Sequence, residues 1–133
     1  MIPFGPATRI FLAPGPTDMR RSFDGLSELV RHSMGADPLS GHLFIFSNRR
    51  RNRLKILVWD SSGLWVCAKR LERGTFHWPT PAPGETKVRI GAEELALLLG
   101  GLDWPRTQRR RWWRRLPTEE THEVSVSCDL VTQ

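Results

Sequence analysis

Cysteine is scarce in this chain. Cys67 and Cys128 are the only two, too few for a disulfide framework and in neither a CxxC nor a Cys/His ligand spacing, so structural zinc is not expected. Long apolar runs are also missing: nothing approaches the ~18 to 20 residues a membrane-spanning helix requires, which argues against a membrane partner. The start, Met1-Ile2-Pro3-Phe4, lacks the basic residues and apolar stretch of a secretory signal, so a cytoplasmic location is expected. There is no Walker or dinucleotide glycine pattern to support nucleotide hydrolysis. His32, His42, His77 and His122 are scattered without an HxxxH pair, and no Cys or Ser has a recognisable base partner nearby. No cofactor is therefore expected.

Lysine is almost as rare as cysteine, with three residues against 17 arginines, and the net charge is +6. Such a balance suits a protein that meets phosphate, because the planar guanidinium fork binds phosphate and guanine edges bidentately. A genome rich in G and C would also favour arginine over lysine. The excess is not spread evenly. Residues 1–60 carry nine basic and five acidic side chains, residues 61–105 five of each, residues 106–115 six arginines, and the remainder four acids. At 133 residues, 39% hydrophobic and 26% charged, the chain is long enough for one globular core and too short for a multi-domain enzyme.

Arg9 to Ala13 reads as a short strand stopped by Pro14-Gly15-Pro16. A helix is predicted over 18–34, with Thr17 as N-cap and an apolar stripe of Met19, Phe23, Leu26, Val30 and Met34; Gly35 is placed to end it in a left-handed cap. Leu43 to Phe46, Leu54 to Trp59 and Leu64 to Lys69 have strand character, joined by connections short enough for hairpins at 47–53 and Asp60-Ser61-Ser62-Gly63. A further connection at Arg73-Gly74 leads to strands at Thr75 to Trp78 and Lys87 to Ile90. Trp59, Trp65 and Trp78 read as core or sheet-face residues. A second helix is predicted over 93–102, apolar almost all round. These elements predict an α+β fold: an antiparallel β-meander of about five strands with two helices packed on one face. The expected organisation is a single domain over 1–105, an Arg/Trp-rich basic extension over 106–117, and an acidic, mostly mobile tail over 118–133 with a short strand at Val124 to Val126.

Several blocks, taken in order, resemble one family: Thr17-Asp18-Met19-Arg20-Arg21-Ser22-Phe23-Asp24-Gly25-Leu26; Ser40-Gly41-His42-Leu43-Phe44-Ile45-Phe46; Arg53-Leu54-Lys55-Ile56-Leu57-Val58-Trp59-Asp60 with Gly63-Leu64; and Lys69-Arg70-Leu71-Glu72-Arg73-Gly74-Thr75-Phe76-His77-Trp78-Pro79. They are similar to the accessory protein TnpB of the insertion-sequence-sixty-six transposons, unrelated to the RNA-guided nuclease of the same name. The likeness covers about residues 8–105. It implies an accessory factor for DNA transposition, encoded beside a larger transposase that carries the strand-transfer chemistry, and it brings no catalytic residues. The Arg/Trp segment and the acidic tail depart from the family's usual pattern.

The candidate DNA-binding residues are Arg49, Arg50, Arg51, Asn52, Arg53 and Lys55, at and beside a predicted hairpin tip, and Arg106, Arg109, Arg110, Arg111, Trp112, Trp113, Arg114 and Arg115. The arginines suit phosphates and Asn52 a base edge. About six neutralised phosphates would weaken binding about a thousandfold between 50 and 200 mM salt. The same hairpin run could instead be a solvated turn that protects a sheet. Trp112 and Trp113 suit stacking on exposed bases, or packing on the body beside Leu116. Asp18, Asp24, Asp60 and Glu72 invite a metal-nuclease reading, but helix capping, a helix-face pairing of Asp24 with Arg20, and turn formation account for the first three. The reading is a non-catalytic accessory factor that binds DNA and assists a transposase. The alternatives are a transposase-docking subunit without DNA contact and, less favoured, a metal-dependent nuclease.

Overall fold

The computed structural model describes residues 7–100 and the backbone of residues 127–132. In chain order the elements are β1 (Ile10–Leu12), α1 (Phe23–His32), β2 (Leu43–Ser47), β3 (Arg53–Trp59), β4 (Gly63–Arg70), β5 (Val88–Ile90), α2 (Ala92–Leu99) and β6 (Ser127–Thr132). The strands form one sheet in the order β5-β1-β2-β3-β4-β6. The fold is α+β, with a largely antiparallel sheet, as the sequence predicts. β2, β3 and β4 are the expected meander. β1 departs from it by pairing parallel to β2, with Ile10 opposite Leu43. The physical reason is the connection: α1 lies between the two strands, and a helical crossover returns the chain in the same direction, where a tight turn reverses it.

The two helices do not share a face. Leu26, Val30 and Met34 of the α1 region pack with Phe44, Phe46, Leu57 and Val66. Leu95 and Leu98 of α2 pack with Ile10, Leu12, Leu43, Ile45, Leu54, Ile56, Val58, Cys67 and Phe76. Since successive residues of a strand point to opposite faces, these two clusters lie on opposite sides of the sheet, which corrects the one-sided arrangement expected from sequence. The cause is visible in β2, whose five residues are all buried. A strand apolar on both sides needs a layer on each.

α1 begins at Phe23, later than predicted, with Ser22 at its N-cap. Thr17 and Asp18 instead belong to an irregular approach in which Asp18 Oδ1 accepts from the Arg20 amide. Gly35 does adopt φ +63°, the left-handed conformation expected after the helix. α2 begins at Ala92, with the Gly91 amide donating to Glu94 Oε1 at 2.8 Å, and residues 101 and 102 of its predicted span lie outside the described residues. Lys69 is buried and donates to the carbonyl of Leu99, placing a cation at the negative end of α2.

Thr75 to Trp78 is not a strand. It lies as a loop over the α2 face, with Phe76 buried, the Phe76 amide donating to the Arg51 carbonyl at 2.6 Å, and Trp78 Nε1 donating to the Ala13 carbonyl at 2.9 Å. The chain meets Pro79 immediately afterwards, which offers no ladder donor. At the far end, Ser127–Thr132 pairs antiparallel with β4, so six residues assigned to a mobile tail are a sheet strand. The strand expected at Val124 to Val126 and the segment 106–117 lie outside the described residues.

Two-sided burial predicts that neighbours in β2 are equally sensitive. Phe44→Ala and Ile45→Ala should each cost about 2–5 kcal/mol in urea-induced unfolding, because both side chains are fully buried but on opposite faces. A sheet covered on one side only would spare one of the two.

Candidate nucleic-acid interface

The β2–β3 connection is built around Asn48. Its Oδ1 accepts from the amides of Asn52 (3.1 Å) and Arg53 (3.2 Å), its Nδ2 donates to Asn52 Oδ1 (2.7 Å), and its carbonyl accepts from the Arg51 amide at 3.1 Å. This is the local side-chain-to-backbone bonding that makes asparagine a turn former. Arg51 sits at φ +58°, a left-handed conformation that a non-glycine residue rarely adopts. The tip is therefore a fixed platform.

The arginine run divides on it. Arg49, Arg50 and Arg53 are exposed. Arg51 turns inward: its Nη2 donates to the Pro14 carbonyl at 3.1 Å and its guanidinium carbon lies 4.7 Å from the centre of the Trp78 ring. Among the described residues its buried Nη1 has no hydrogen-bond partner, and burial pushes its pKa below the usual arginine value. Asn52 is taken up by Asn48, and its carbonyl accepts from the Leu71 amide at 2.8 Å. Of the hairpin residues expected to reach DNA, Arg51 and Asn52 are thus engaged internally.

The sheet brings in cations that sequence reading passed over. Arg53 stands directly opposite Arg70 across β3 and β4, a like-charge pairing that costs stability in a sheet. Met19, Arg53, Lys55, Lys69, Arg70 and Glu72 line most of a cavity of about 570 Å³ at this end of the molecule. Lys55 Nζ donates to the Arg21 carbonyl at 2.9 Å, tying β3 to the segment before α1. Arg70 is bridged to Glu72 at 3.1 Å, but with side chains 61% and 77% exposed the pair contributes little. The signal for Arg70 was present: a turn centred between Ser61 and Ser62 sets residue 53 against residue 70. No local pattern announces Arg21 beside Lys55.

The acids serve local structure. Asp60 accepts from Trp65 Nε1 (2.6 Å) and from the amides of Ser62 and Gly63, and these bonds, the indole's first, hold its pKa at about 2. Asp18 is likewise lowered to about 2 by Arg20, whose Nη2 lies 2.7 Å away. That pairing replaces the one expected between Arg20 and Asp24. Among the described residues no group of three or more His, Cys, Asp or Glu could hold a metal ion, and no helix is long and apolar enough to cross a membrane.

The class these features define is a small α+β module whose one sheet end is basic. The comparisons make it specific: the family model described as IS66 Orf2 like protein matches residues 8–109, and the chain belongs to that family. The role that goes with membership is that of an accessory protein in transposition, associated with the element's transposase. Two relatives come from Sinorhizobium fredii (strain NBRC 101917 / NGR234). Uncharacterized protein y4jC is 40% identical over 102 residues, covering 77% of this chain and 86% of the relative. Uncharacterized protein y4hO is 38% identical over 114 residues, covering 86% and 96%. No solved structure matches the chain. The family match stops before Arg110, Arg111, Trp112, Trp113, Arg114 and Arg115.

Arg51→Ala should destabilise the protein by about 1–3 kcal/mol, because it removes the Pro14 bond and the Trp78 contact, whereas Arg50→Ala should stay within about 0.5 kcal/mol. Thermal or urea unfolding of the two variants checks this. A lowered carboxyl pKa contributes stability that is complete above its unfolded value, near 3.8, and is lost as pH falls toward 2. Trp65→Phe should raise the Asp60 pKa toward 3.8, as measured by NMR titration of its carboxyl carbon.

Proposed function

We propose that the protein is a non-catalytic DNA-binding accessory factor of transposition, which grips phosphates of the element's DNA and assists the separate transposase. The observation that carries this reading is the exposed set Arg49, Arg50 and Arg53 on a fixed hairpin, with Arg70 set against Arg53. Cations on a rigid support lose little conformational freedom on binding, and each phosphate neutralised releases counterions. Lys55 contributes charge from the wall of the cavity while its ammonium is held by the Arg21 carbonyl. Arg51 and Asn52 support the platform. The Arg106 to Arg115 run adds six guanidinium groups from outside the described residues. Contact with base edges through Asn52 has no support in its hydrogen bonding, so the reading is backbone recognition, with any preference for the element's ends left to DNA shape or the transposase.

Fluorescence anisotropy on a labelled element end and on a scrambled duplex, each titrated with salt, tests the reading. Four phosphate contacts would weaken binding about a hundredfold between 50 and 200 mM salt. Replacing Arg49, Arg50, Arg53 and Arg70 together by alanine should reduce the slope of log K against log salt by about 3 to 4. An unchanged slope would sink this interface. If the same variant bound no DNA yet still co-purified with the transposase, DNA contact and transposase association would be separate functions. Absence of DNA binding by the parent, with that complex formed, would favour the docking subunit.

A further inference from the structure

We propose that Cys67 and Cys128 form a reversible dithiol–disulfide couple, a redox modification site whose oxidised form fastens β6 to the edge of β4. The ladder of these strands sets Cys67 opposite Cys128, although about 60 residues of chain separate them. Cys67 is disulfide-bonded, and Cys128 is the other cysteine of the given sequence. Cys67 itself is fully buried on the α2 face of the sheet, within the cluster that includes Ile56, Phe76 and Leu98.

The position of the link gives it consequence. Among the described residues β6 is the terminal strand of the sheet and pairs with β4 alone, whereas β2, β3 and β4 are each held on both edges. An element held by a single ladder is among the first to open. A covalent link across it closes a long loop, and long loops gain most from closure in the chain-entropy account. Reduction leaves β6 held by its ladder alone, and its release makes β4 the sheet edge, with the outward amides and carbonyls of Gly63 to Ala68 unpaired. The chemistry balances by exchange with a low-molecular-weight disulfide such as oxidised glutathione. One cysteine thiolate attacks it, giving a mixed disulfide and releasing one glutathione thiol. The second cysteine displaces the other glutathione, so two protein thiols become one disulfide and one glutathione disulfide becomes two thiols.

The test uses the full chain, reduced and then equilibrated with oxidised glutathione. Intact mass should fall by two hydrogens, native and denatured protein should both resist alkylation, and non-reducing gels should show monomer. Oxidation should slow hydrogen exchange of the outward β4 amides by about tenfold or more and raise the Tm by several degrees. Cys67→Ser and Cys128→Ser, checked for folding by circular dichroism, should each lose both effects. Two alkylatable thiols after oxidation, or disulfide-linked dimers, would overturn the proposal. So would an intramolecular disulfide that left exchange of β4 unchanged.

Discussion

Neither face of β2 can be left to water, and this constraint governs where the rest of the chain goes. Phe44 and Phe46 lie among Leu26, Val30 and Met34, while Leu43 and Ile45 lie among Leu95, Leu98 and Phe76. Leaving either set exposed would forfeit about 1.5–3 kcal/mol per large side chain. One helix must therefore cover each side, and α1 reaches its side as the crossover that makes β1 parallel to β2. α2 is short, eight residues, and does not cover its side alone. The loop carrying Leu71, Phe76 and Trp78 completes that layer, which explains why an apolar segment that reads as a strand lies flat as a lid.

With both faces committed to packing, charge is left with the ends of the sheet and the helix surfaces. The end carrying the β2–β3 turn shows how one arginine run can serve two purposes. Arg51 closes the structure by joining the turn, the β1 exit at Pro14 and the ring of Trp78. It tolerates a left-handed backbone and a buried Nη1 without a partner, and the surrounding bonds of Asn48 hold it there. Its neighbours Arg49 and Arg50 are then presented outward by the same turn. Deletion of charge at residue 51 and at residue 50 are therefore different experiments: one loosens the support and the other removes a contact from it.

Sequence periodicity carries the elements that obey one local rule. The alternation Leu54, Ile56, Val58, the Asp60-Ser61-Ser62-Gly63 turn and Gly35 all appear as expected. Properties set by tertiary partners were not legible. Periodicity does not say which side of a sheet a helix occupies, although the unbroken run Leu43 to Phe46 is itself a mark of burial on both sides. Nor does a run of like residues reveal that Arg51 differs from Arg50, because the difference comes from Pro14 and Trp78, 37 and 27 residues away. β6 was missed because the acids around it suggested a tail, while Leu130 and Val131 supply strand-forming side chains too briefly to stand out.

The pairing of Arg53 with Arg70 is the feature least explained by folding. Cross-strand neighbours lie about 5 Å apart, so two guanidinium groups in that register repel one another. Glu72 offsets only part of this, since it bridges Arg70 through a well-solvated contact. An opposite charge on either strand would have served the sheet better. Duplex DNA presents one phosphate charge per about 1.7 Å of axis, denser than protein carboxylates normally are. Two arginines in facing register would gain from such a surface what they lose to each other in its absence. The proposed phosphate contact would turn this unfavourable local register into a favourable one upon binding.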